Sequence, residues 1–300
     1  MQSIKVKVLT MFMSLVMAVA CLPAMSSNAA SIVKSGSCGT GVSYKLTDDG
    51  VLTLSGNGAV DEYVLYTNGQ TTAPWYSNKY NIKKIVVGDG ITRLGSNAFA
   101  WCTSLTSVQF SSQTNLKSIG TQTFYECTQL KSITLPYGLV SVGKNAFVYS
   151  GLTSVIIPNS VKTIAYGAFA NCDLLKVYIP ASVVTIGDFA FRGNYVMTKV
   201  SGGAGVVTIG AQAFEHCWKL NTFVITSKKL KKIGKACFLC CSKLKKIYIK
   251  QTTKLTKKGV KGSLYLSSVK TVKVKKSKVK KYKKYFTAKN CKKYRVKVKK

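Results

Sequence analysis

The chain has 300 residues, 46% of them hydrophobic, which suffices for an ordered core, and its 45 basic and nine acidic side chains give a formal net charge of +36. Carboxylates scattered at Asp61, Asp89, Glu126, Asp173, Asp188 and Glu215, with His216 as the single histidine, exclude a catalytic triad or a clustered acid–base site. The charge is uneven: residues 228–300 hold 29 Lys and Arg and no acid, so the rest carries 16 basic minus 9 acidic, or +7.

At the N-terminus, Lys5 and Lys7 precede an apolar run over residues 8–20, and Ser26, Ser27, Ala29 and Ala30 come after it. This order predicts a secretory signal peptide over residues 1–30, cut near Ala29 or Ala30; the run is too short for a membrane span. A lipid acceptor at Cys21 is the alternative, although Ala18 stands where a larger aliphatic is usual. Residues 31–81 then alternate apolar and polar side chains about Asp49-Gly50, which is a hairpin signal. Residues 82–249 repeat one frame: I-G-x-x-A-F-x-x-C, then L-x-x-V-x-I-P, then S-V-x-x-I. Its phenylalanine recurs at Phe99, Phe124, Phe147, Phe169, Phe191, Phe214 and Phe238, in steps of 25, 23, 22, 22, 23 and 24. A period that regular means a solenoid of about seven coils, none able to bury its apolar residues alone. Because a solenoid leaves its first edge open, the module over residues 31–81 is expected to cap the first coil.

Within the frame, triplets such as Leu130/Ile133/Leu135 and Leu174/Val177/Ile179 mark a short inward-facing strand, and pairs such as Val161/Ile164 mark a second apolar segment. Pro136, Pro158 and Pro180 set a corner between them, and the glycine after the second aliphatic, as at Gly143 or Gly210, suits a tight turn. Coil five departs from the frame, its strand aliphatics giving way to Ser201, Gly202 and Gly203, so a bulge is expected there.

Residues 250–300 continue the period faintly. Val260 stands 22 after Phe238 and takes the ring's place in a degenerate eighth coil, with Val269/Val272/Val274 as its strand. Val279, Tyr282, Tyr285 and Phe286 have helical spacing within residues 277–286, and residues 294–298 alternate as a closing strand. Together these predict a lysine-rich C-terminal cap.

The repeat frame resembles the leucine-rich repeat in its BspA-like bacterial variety, whose pattern runs roughly LxxLxLPxSVxxIGxxAFxxC. The predicted fold is therefore a leucine-rich repeat solenoid, mainly β, with parallel strands, short 3₁₀ or helical turns, an N-terminal β cap and a basic C-terminal cap. In BspA-like proteins a similar opening module carries a tryptophan where Tyr44 stands here, whereas Ala73-Pro74-Trp75 matches. The resemblance implies a secreted or surface-associated protein that binds other proteins, in some members host extracellular components.

Five cysteines, Cys102, Cys127, Cys172, Cys217 and Cys241, fall three residues after the phenylalanine, and Ser150 and Asn194 replace them elsewhere. A small, buried, hydrophobic slot accounts for this better than a disulfide ladder. The cluster Cys237/Cys240/Cys241 with His216 has the ligand types for zinc, but framework packing explains its cysteines, and no metal or cofactor is expected. Recognition therefore falls to the outward residues of the strands. Gln109, Ile156, Tyr178, Val224 and Tyr248 form an apolar and aromatic stripe beside Lys176, Lys199 and Lys246, the composition of a protein-binding patch. The expected function is non-enzymatic protein–protein interaction or adhesion, with residues 276–300 attracted to an anionic cell-wall polymer. Nucleic acid is a poor fit for an exported chain without a recognition motif. A cell-wall spacer that binds nothing is the alternative.

Overall fold

A computed structural model describes residues 30–249, 254–291 and 296–300, in which Ile32–Lys300 form one unit. The signal-peptide expectation and Cys21 lie outside the described residues, as do Tyr294 and Arg295 of the closing strand. Among the described residues no helix is long and apolar enough to cross a membrane.

Each coil contributes two strands to two parallel sheets. One sheet is a continuous row of eight short strands, from Gly58–Ala59 through Ile91–Leu94 to Lys232–Ile233. Its register is unbroken from Ile119 through Val142, Ile164, Ile186 and Ile209 to Ile233, so one aliphatic per coil stacks on its equivalents. The other face carries the longer strands and falls into three pieces. The strands Ile32–Gly39, Val42–Thr47 and Val51–Gly56 run antiparallel, the first two turning at Thr40-Gly41 and the last two at Asp49-Gly50, and join Lys84–Val87 and Ser107–Phe110 in parallel. Ser132–Thr134 and Ser154–Ile156 pair only with each other. The third piece runs from Lys176–Ile179 through Lys199–Gly202, Thr222–Ile225, Lys246–Ile249 and Thr271–Val274 to Lys297–Lys299. At the splits the inward residues Val108, Phe110 and Val155 are only half-buried, because the neighbouring strand does not close over them.

Between the sheets the phenylalanine rings form a column. Successive centroids from Phe99 to Phe238 lie 5.2–6.1 Å apart with planes within 4–23° of parallel. Trp75 extends the stack by one ring, 5.4 Å from Phe99, and its Nε1 donates to Ala98 O at 2.7 Å. Tyr44 packs edge-on against Trp75 at 5.1 Å. From Phe99 to Phe214 each column N–H donates to a carbonyl of the next coil, as from Phe147 to Ala168 O at 2.9 Å, so the ring segments form a third ladder.

Four details differ from the sequence-based expectations. The recurrent glycine does not supply a left-handed turn; it lets backbones touch. A Cβ on Gly120 would stand 2.6 Å from Ser96 N, and one on Gly187 2.7 Å from Ala165 C, both in the preceding coil. The left-handed residues instead flank the ring, two positions before it at Asn97, Gln122 and Phe189, and two after it at Trp101, Glu126 and His216. In the eighth coil the ring's place belongs to Leu264 rather than Val260: Leu264 is buried between the left-handed Gly262 and Leu266. Coil five keeps two strand aliphatics, because Met197 and Val200 are fully buried, and loses only the slot at Gly202.

The cysteine slot is the fourth. It calls for a hydrogen-bond donor aimed at the ring residue's carbonyl in the preceding coil, which hydrophobicity alone does not supply. Cys127 Sγ meets Phe99 O at 3.2 Å, Cys217 meets Phe191 O at 3.3 Å and Cys241 meets Phe214 O at 2.9 Å. Asn194 Nδ2 does the same to Phe169 O at 2.8 Å, and Ser150 Oγ reaches Phe147 O of its own coil at 2.8 Å. A residue there must be small and a donor, which admits Cys, Ser and Asn.

Candidate functional site

Outward residues of the long strands are positioned by the pleat: within each strand they alternate with residues that point into the core, so they face solvent. Ile156 and Tyr178 are 63% and 65% exposed, and Gln109, Lys176, Lys199 and Lys246 are also exposed. Val224 and Tyr248 are half-buried.

These eight residues do not share one sheet. Gln109 lies in the first piece, opposite Val86, and Ile156 in the second, opposite Thr134. The other six belong to the third piece, where Lys176 faces Lys199 and Val224 faces Tyr248. Tyr178 is opposite Ser201, and beyond it the ladder between Lys199–Gly202 and Thr222–Ile225 stops at Val200. There the Tyr178 ring crosses the space above Gly202, where a Cβ would come within 2.9 Å of its Cε2. The ring thus partly replaces the side chain that Gly202 lacks.

Two grooves adjoin the strip. One, of about 560 Å³, opens at the first split and is lined by Gln109, Phe110, Thr134, Pro136 and the 86% exposed Tyr137. The other, of about 210 Å³, is framed by Tyr248, Lys273, Val274, Lys275 and Lys300. Across this end Tyr248, Lys273 and Lys299 are successive partners, and so are Lys246, Thr271 and Lys297. The strip therefore grades from apolar to basic towards the C-terminus, with no acid among residues 228–300 to offset it.

The thiols are sequestered. Burial pushes the Cys102 and Cys172 thiols up to about 12, and holds Cys127, Cys217 and Cys237 well above the usual range. Of the cysteines whose side chains are described, only Cys240 is exposed. Cys237 and Cys241 of the same cluster are buried, and among the described residues no group of three or more His, Cys, Asp and Glu could hold a metal ion. His216 turns instead to Glu215 and Trp218. Nothing in the sequence pattern marks that grouping, because its residues occupy slots that vary from coil to coil.

A family model for the BspA type leucine rich repeat region matches in 6 copies, over residues 73–196 and 162–294. The chain belongs to this family. Proteins with BspA-type repeats are typically non-enzymatic. Among solved structures the chain is similar to a leucine rich repeat protein of T. pallidum, at 23% identity over 68% of this chain and 88% of that one, with a TM-score of 0.45. It is similar to a leucine rich cell surface protein from Faecalibacterium prausnitzii at 19% identity, covering 91% of this chain and 96% of that one, with a TM-score of 0.38. A leucine-rich repeat protein from Bacteroides ovatus is likewise 19% identical, covering 86% of this chain and 75% of that one, with a TM-score of 0.42. A search of curated proteins finds no match.

Proposed function

We propose that this BspA-type repeat protein is secreted or held at the cell surface and captures a protein ligand, host extracellular or bacterial, on its exposed strand face. The observation that carries the proposal is the exposure of large apolar side chains on the outward face of the long strands, with Ile156 in the second sheet piece and Tyr178 in the third. Large exposed apolar groups rimmed by lysines are the composition of a recognition surface. Family membership supports a surface or secreted role, because BspA-type proteins are typically found there.

Residues 276–300 would hold the protein to an anionic cell-wall polymer through charge, so high salt would release it. Deleting that segment is a poor test, because Tyr282 is fully buried, Phe286 2% exposed and Lys297–Lys299 paired in the sheet. Charge reversal at the exposed Lys280, Lys283, Lys297 and Lys299 leaves the packing alone. The variant should lose cell-wall retention at low salt; full retention would discard the anchor.

Replacing Ile156, Tyr178 and Tyr248 together by Ala tests the strand face. Pull-downs from host matrix extracts or bacterial lysate should lose the captured protein. The spacer reading, which the packing of Tyr178 over Gly202 favours, expects the same proteins to be recovered with either chain.

A further inference from the structure

The edge of the solenoid that carries the ring-flanking turns holds a second site, away from the long strands. Gly193 occupies the left-handed position two after its phenylalanine, where neighbouring coils place Tyr149, Asn171 and His216. With no side chain at Gly193 the row opens into a pocket of about 240 Å³, and the Asn171 amide oxygen fills the place a Cβ would take. Tyr195 and Trp218 wall it, their rings 4.5 Å apart and tilted by 42°, and they are 42% and 50% exposed.

The polar side is built. Glu215 is 4% exposed, pairs with Arg192 Nε at 3.0 Å and accepts from Gln212 Nε2 at 3.0 Å. Trp218 Nε1 donates to His216 Nδ1 at 3.4 Å, and His216 Nε2 lies 3.5 Å from Glu215 Oε1. The Glu215 carboxylate offsets the Arg192 guanidinium behind the pocket, in a chain whose formal net charge is +36.

We infer that this pocket binds a neutral oligosaccharide. Exposed, tilted Tyr and Trp rings suit the C–H face of a sugar, and planar Arg, Asn and His groups suit its paired hydroxyls. An anion would find the Arg192 charge already offset by Glu215, and a cation would meet the long-range repulsion of the lysines. The pocket is smaller than the roughly 300–1,000 Å³ of sites that engulf a whole small molecule, so it takes one unit of a longer glycan. The rest of the glycan lies along the same edge, where Trp101, Tyr125 and Tyr149 continue the row of rings at 5.9 and 6.0 Å.

The test is affinity electrophoresis of the full chain through gels containing neutral glucan, mannan, xylan or galactomannan, in salt high enough to mute the lysines. At least one polymer should retard the protein. Trp218→Ala and Tyr195→Ala, both at exposed positions, should weaken that retardation by about tenfold or more, and Trp218→Phe by less. The Ile156/Tyr178/Tyr248 alanine variant should be retarded like the parent, which separates this site from the strand face. No retardation by any polymer, or retardation unchanged in Trp218→Ala, overturns the assignment.

Discussion

Replacing Asn194 by Leu separates two accounts of the slot three residues after each column phenylalanine. Asn194 is fully buried; its Nδ2 donates to Phe169 O and Phe191 O, and its Oδ1 accepts from the Leu174 N–H at 3.1 Å. Leucine keeps the branching of asparagine but is larger, so about 1 to 3 kcal/mol of overpacking adds to the loss of polar partners; Asn194→Ser, small and a donor, should lose clearly less. Phe191 O keeps the Cys217 thiol at 3.3 Å, which leaves Leu174 N–H and Phe169 O without a partner in the interior. At about 1 to 3 kcal/mol for each buried group orphaned, the loss is about 2 to 6 kcal/mol. A slot that is merely hydrophobic gives the opposite sign, since burying leucine would stabilise by about 1.5 to 3 kcal/mol. Urea unfolding followed by circular dichroism reads the difference as a lower midpoint, with the slope compared separately. Because stacked coils can open in part, amide exchange should be fastest in the coils around Asn194. A variant as stable as the parent, or more so, would refute the donor requirement.

Truncating Phe169 to Ala should cost about 3 to 5 kcal/mol by emptying one place in the ring column, and amide protection should fall most in the adjacent coils; uniform loss would contradict nearest-neighbour stacking. Gly210→Ala should cost about 1 to 3 kcal/mol, because its Cβ would press on the backbone at Gly187 and Asp188; an unchanged thermal midpoint would contradict that close approach. Iodoacetamide applied to the native protein should modify Cys240 ahead of Cys102, Cys127, Cys172, Cys217, Cys237 and Cys241, which mass spectrometry of the peptides would check. Cys102 and Cys172 ionise near 9.0 when exposed and near 12 when folded. Their share of stability is therefore complete below pH 9 and lost as pH rises towards 12, and Cys172→Ser should flatten that decline relative to the parent.

The ring column and the paired aliphatics were legible because seven copies vote on each slot and the ring is phenylalanine in all of them. The function of the recurrent glycine was not, since sequence shows that a Cβ is missing but not whether φ or a neighbouring backbone requires it. The left-handed positions left only a partial mark: Asn97, Asn145, Gly167, Asn171 and Gly193 favour positive φ, but Phe189, Trp101 and Glu126 do not, and the coil holds them there through its intercoil hydrogen bonds. In the cysteine slot the signal was present, because Ser150 and Asn194 share with Cys a small size and a donor. Which outward residues lie together depended on where the long-strand sheet splits, a feature decided by the pairing geometry of a few residues. Val260 keeps the period but not the place, because the turn of its coil is longer and Leu264 takes the ring's position.

Thirteen non-glycine residues hold positive φ among the described residues, and all but Leu266 flank a ring of the column. Such a backbone costs an L-amino acid about 1 to 2 kcal/mol and glycine far less. Gly167, Gly193 and Gly262 already occupy equivalent posts without disturbing the stack. A reserve of thermal robustness therefore lies unused at defined, mostly half-buried sites, open to an engineer who wants a sturdier scaffold and has no wish to touch the ring column.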